Sequence, residues 1–164
     1  MFIYFIADKN NKISKTNQAR WILLNISTTS SIVICILYWI GQASDLINKQ
    51  TVLLSVTIHV HLICCVMSII EIFVVKIPIR ILHFYQPVLF SIAFITVTLA
   101  IRHSYPPVYK VLDWVKDPFT AAICSLCGAF FVVPFVHCCI VYPLYRLRVM
   151  IATKESQRNV AVKV

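Results

Sequence analysis

Four long stretches of this chain carry almost no charge, and that feature limits its fold more than any other. Trp21–Gly41, Ile81–Ile101 and Phe119–Tyr145 contain no Asp, Glu, Lys or Arg, and Thr51–Val75 contains only Glu71. Each reaches or exceeds the roughly 20 residues that cross a bilayer as a helix. A spanning segment must satisfy its own backbone hydrogen bonds, and these unbroken runs do not alternate as barrel strands do. Only 13% of the residues are charged, against about 25% in soluble domains. The expectation is an all-α integral membrane bundle of four transmembrane helices, at about 21–41, 51–75, 81–101 and 119–145. Residues 1–20 form a leader and 146–164 a basic tail. Met1–Ile6 is too short for the apolar part of a signal peptide.

The net charge of +9 would fit nucleic acid, but its placement points to topology. Lys9, Lys12, Lys15 and Arg20 precede the first run, Lys76 and Arg80 join the second to the third, and Arg146, Arg148, Lys154, Arg158 and Lys163 follow the fourth. The opposite side holds only Lys49, Arg102, Lys110 and Lys116. The positive-inside rule therefore places both termini in the cytoplasm, with membrane lipids, anionic headgroups included, as expected partners. All seven cysteines fall within the expected spans, where small polarizable thiols serve helix packing. Cys124 and Cys127 have zinc spacing but no second pair of that spacing. No metal or cofactor is expected, and no phosphate loop or nucleophile elbow is visible.

Ionisable groups inside hydrocarbon are costly, so those in the spans are candidate functional residues. In the second run His61, Cys65 and Ser68 share a stripe at i, i+4, i+7. His59 points elsewhere, since positions two apart diverge by about 160°, and Glu71 lies roughly 15 Å further along the helix. His61 is the favoured catalytic candidate, as a general base toward a hydroxyl on another helix. The alternative is a histidine that hydrogen-bonds a neighbour for structure alone. Glu71 is expected to pair with Lys76 or Arg80 at the interface. The hydroxyl cluster Ser27–Ser31 favours close helix packing, with Thr28 or Thr29 as the alternative nucleophile. Tyr38 and Trp39 are expected as interfacial anchors. Pro87 predicts a kink or late start in the third helix. The longest loop, Arg102–Pro118, is expected outside, with Tyr105, Tyr109 and Trp114 near the membrane surface. His61, His83 and His137 lie on three helices but at different expected depths, which argues against a shared zinc ion.

Several short patterns then converge. Trp21-x-Leu23-x-Asn25, Leu37-Tyr38-Trp39, and His61 followed ten residues later by Glu71 form one group. Pro78-x-Arg80-x-Leu82-His83-x-Tyr85-x-Pro87, Val111-Leu112-Asp113-Trp114 and Tyr142-x-Leu144-Tyr145-x-Leu147-Arg148 form the rest. Together they resemble the rolling stone family of multi-pass membrane proteins, whose founding insect member is associated with myoblast fusion in muscle formation. The resemblance implies a role in cell fusion or development. The family is also similar, at a distance, to the androgen-induced transmembrane threonine hydrolases of fatty acid esters, in which a Thr and a His on different helices act together. By that likeness His61 matches the catalytic histidine, and the threonine is expected on further N-terminal helices, so that this chain starts near the family's third helix. Cys64 stands where the family has an asparagine, and Tyr109-Lys110 where a tyrosine-proline is expected. Three functions follow as expectations: a fusion or developmental membrane protein, a lipid-ester hydrolase with a histidine base, or a structural membrane subunit.

Overall fold

Many large apolar side chains point outward in this protein, while several hydroxyls and amides are buried beside its apolar core, an arrangement unlike that of a water-soluble bundle. On the first helix Leu23 and Ile40 are 65% and 78% exposed, while Asn25, Thr28 and Thr29 are buried. Such an arrangement is stable only where lipid replaces water around it. The structure is a computed structural model that describes residues 15–47, 59–75, 77–107 and 109–161.

Helix α1 runs from Lys15 to Ile47, longer than the uncharged run alone implied. Helix α2 (Cys64–Val74) is entered through a π turn, His59–Ile63. Residues 51–58, where the second span was expected to begin, lie outside the described residues. Helix α3 (Tyr85–Ala100) follows a 3-10 turn, Ile81–Phe84. Its late start has a local cause. Pro87 lacks an N–H, which costs nothing in a first turn, and Ser91 Oγ donates to its carbonyl at 2.9 Å. Helix α4 spans Pro118–Ala161, 44 residues. Asp117 caps it by accepting from the Thr120 N–H at 3.1 Å, with Pro118 in the first position, where proline is pre-organised. Two π turns, Gly128–Val132 and His137–Val141, interrupt α4 around Pro134. Wider turns of this kind re-satisfy carbonyls that an internal proline leaves without a donor.

Among the described residues there is no strand, and the protein is a helical membrane bundle. Asn17–Ile40, Ile81–Ala100 and Pro118–Ala161 contain stretches long and apolar enough to span a bilayer, and Val60–Val74 is a shorter apolar helix. At roughly 1.5 Å per residue, α4 is about twice the hydrocarbon thickness. Its last part, Tyr142–Ala161, buries no residue and continues as helix beyond the expected end at Tyr145. Ile32 and Val33 of α1, Ile72 of α2, Val88 of α3 and Val133, Val136 and Val141 of α4 form one packed core.

A polar contact fastens α1 to α3. Asn25 Nδ2 donates to Gln86 Oε1 at 2.9 Å, and both side chains are buried. Gln86→Leu leaves the Asn25 amide without that partner, at an expected cost of about 1–3 kcal/mol. Asn25→Leu combined with Gln86→Leu should recover part of it. Thermal unfolding in detergent measures both, and a double variant no more stable than Gln86→Leu would exclude this role.

Candidate functional site

The four helices bring Thr29, His137 and the Arg80 backbone into one line. Thr29 and His137 are fully buried, at 0% exposure. Thr29 lies on the inward stripe of α1 with Asn25 and Ile32, as helical spacing requires. His137 opens the second π turn of α4. Thr29 Oγ1 is 3.0 Å from His137 Nδ1, and His137 Nε2 is 3.2 Å from the Arg80 carbonyl oxygen. A carbonyl can only accept, so Nε2 carries a proton. In the neutral ring Nδ1 is then the acceptor, and the Thr29 hydroxyl donates to it. The result is a hydroxyl, an imidazole and a fixed orienting acceptor, the order of groups that activates a nucleophile in hydrolases.

Several of the residues that carry the family patterns lie near this line. Trp21 Nε1 donates to the Pro78 carbonyl at 2.7 Å. The Trp21 and His83 rings meet edge to face with centroids 4.2 Å apart. His83 is also edge-on to Tyr85 at 5.9 Å. Asn25 reaches Gln86 one turn further in. Tyr142, Tyr145 and Arg146 of α4 border a groove of about 380 Å³ together with Pro78–His83. The start of α1, the 77–84 segment and the latter part of α4 therefore meet at one end of the bundle.

His61 lies elsewhere. Its ring stacks on Tyr38, centroids 4.0 Å apart and planes 16° apart. Tyr38 is roughly 14 Å along α1 from Thr29, so the structure does not bring His61 to Thr28 or Thr29. The expected stripe is present: His61 and Cys65 are half-buried and Ser68 is buried. The side chain of His59 lies outside the described residues. Tyr38, expected as an interfacial anchor, is instead 6% exposed, because His61 offers it a ring to stack on. Glu71 is exposed and makes no ion pair with Arg80; Lys76, its other expected partner, lies outside the described residues. Thr28 is buried with its hydroxyl unpaired. Cys124 and Cys127 are free and exposed. Among the described residues no three His, Cys or carboxylate groups converge as a metal site.

The sequence reading missed the pairing of His137 with Thr29. A histidine three residues after Pro134 was visible, but only the π turns decide which face it presents. A double-mutant cycle of Thr29→Val and His137→Phe, read by thermal unfolding in detergent, should give a coupling of about 0.6 kcal/mol and up to about 1.7 kcal/mol. Zero coupling would show that the contact contributes nothing to the bundle.

Comparison with known proteins adds the lineage. No curated protein and no solved structure matched the chain. The family model described as Protein rolling stone matches residues 5–161, which takes in all four described helices and both ends of the bundle. The chain belongs to the rolling stone family.

Proposed function

We propose that this protein acts in cell fusion, such as that of myoblasts, or in a related developmental contact, as a multi-pass membrane protein with both termini in the cytoplasm. The gathering of Arg20, Arg80 and Arg146 toward one end supports that orientation. The observation that carries the reading is the built surface at the other end, residues 101–107 and 109–117. Asp113 Oδ1 accepts from the Lys116 and Val115 N–H groups at 3.0 and 3.2 Å, and Lys116 Nζ lies 3.8 Å from Oδ2. The Lys116 N–H, with the Val115 N–H behind it, holds the Asp113 carboxyl below the usual carboxylate range, so it is ionised at neutral pH. Trp114 Nε1 donates to Thr98 Oγ1 at 3.3 Å and ties the loop to α3. On this frame Tyr105, Val111 and Val115 stand 65%, 53% and 55% exposed. Exposed apolar groups on a fixed frame are what a contact surface needs.

A cell–cell fusion assay tests this reading. Tyr105→Ala with Val115→Ser should lower fusion severalfold while surface amount and unfolding temperature stay unchanged, because neither side chain supports the core. Full fusion in that variant would rule the surface out.

A second reading, a lipid-ester hydrolase, is favoured by the Thr29, His137 and Arg80 line. Its difficulty is access, since both side chains are at 0% exposure. Labelling by a fluorophosphonate probe separates the versions. Loss of labelling in Thr29→Ala assigns the nucleophile to the buried pair. Loss in His61→Ala with retention in Thr29→Ala assigns the base to His61 and the nucleophile to another residue. Absence of labelling in the unaltered protein removes the hydrolase reading for this chain.

A further inference from the structure

The groove beside the polar line is bordered by two arginines. Arg80 and Arg146 are exposed and both border it, and among the described residues no carboxylate pairs with either. They come from distant parts of the chain, one just before α3 and the other in α4. Tyr142 and Tyr145 place two half-buried phenols on the same wall, their rings 6.5 Å apart. His83, held edge-on by Trp21, closes another side. Next to Arg80 in the chain the wall turns apolar, with Leu82 73% exposed and Ile81 43% exposed.

We propose that this groove binds the phosphate headgroup of an anionic phospholipid. The chemistry follows from the groups present. A guanidinium presents its donors in a planar fork that matches phosphate oxygens, and two of them can share one phosphate. The phenol hydroxyls are further donors. At about 380 Å³ the groove is of the size that takes a small polar ligand. Its depth identifies the source of the phosphate. Ile81 begins a helix long and apolar enough to cross a bilayer, which puts the groove at the level of the headgroups and the exposed Ile81 and Leu82 against the acyl layer. A lipid would meet the cations with its phosphate and these side chains with its chains. Anionic lipids are abundant in the cytoplasmic leaflet, the side on which the basic end is proposed to lie. The inference is independent of whether the 101–117 surface acts in fusion.

Native mass spectrometry of the full chain in detergent provides the test, with phosphatidylglycerol, phosphatidylcholine and inorganic phosphate titrated separately. Phosphatidylglycerol should bind at least tenfold more tightly than phosphatidylcholine. Arg80→Gln with Arg146→Gln should lower that affinity at least tenfold. Arg146→Gln alone should lower it severalfold, and since Arg146 is exposed this variant retains the fold. Lys154→Gln with Arg158→Gln, on the exposed tail of α4 outside the groove, should leave it unchanged. Equal binding of the two lipids, or an equal loss in the tail variant, would overturn the proposal. Inorganic phosphate that binds as tightly as phosphatidylglycerol would assign the groove to a soluble phosphate and overturn the lipid source.

Discussion

Inside hydrocarbon, apolar side chains gain little by leaving lipid for protein, so a helical bundle must be held by close packing and by polar contacts between helices. In this protein those contacts run from α1 outward. Thr29 meets His137 of α4, whose second nitrogen meets the Arg80 carbonyl. Asn25 meets Gln86 of α3, and Trp21 meets Pro78. One face of one helix thus fixes α3, α4 and the segment after α2. The cost of leaving any of these groups unpaired in a low-dielectric interior is what gives the arrangement its single register.

The same contacts divide the molecule into two ends with different characters. At one end the 77–84 segment is drawn in by Trp21 and His137, and Arg80 and Arg146 are left facing a common groove. At the other, the 101–117 loop is closed on itself by Asp113 and on α3 by Trp114. Between them α4 runs without a break from Pro118 to Ala161, its two π turns accommodating Pro134. Each wide turn shifts the register of everything after it. The first shift places His137 toward Thr29, and the second precedes the part of α4 that brings Tyr142, Tyr145 and Arg146 to the groove.

Much of this was legible in the residues. The inward stripe His61, Cys65, Ser68 appears as helical spacing predicts, although His61 lies in the π turn that enters α2. The late start of α3 follows from Pro87, and the start of α4 from Asp117-Pro118. The rolling stone patterns were legible too, and two of them meet where Trp21 contacts Pro78 and His83. What spacing did not reveal was the partner of each polar group. Thr29 is adjacent to Thr28, yet one meets a histidine and the other has no partner. Tyr38 read as an anchor for the membrane surface and turned inward because His61 stood opposite it. Arg80 was one of two expected partners of Glu71, with Lys76, but it sits in an extended segment whose path is set by Trp21 and His137 instead.

By itself the sequence determined that this chain lies in a membrane as helices, roughly where they run, and which family it belongs to. Those properties depend on runs of apolar residues, on proline and cap chemistry, and on short patterns, all of which are local. Only the tertiary structure decided that Thr29 pairs with His137 rather than His61, that Arg80 and Arg146 share a groove, and that Trp114 ties the segment before α4 to α3. These depend on contacts between residues far apart in the chain, such as Thr29 and His137, 108 positions apart. A one-residue shift in a π turn alters which side chains meet, and no local pattern records it.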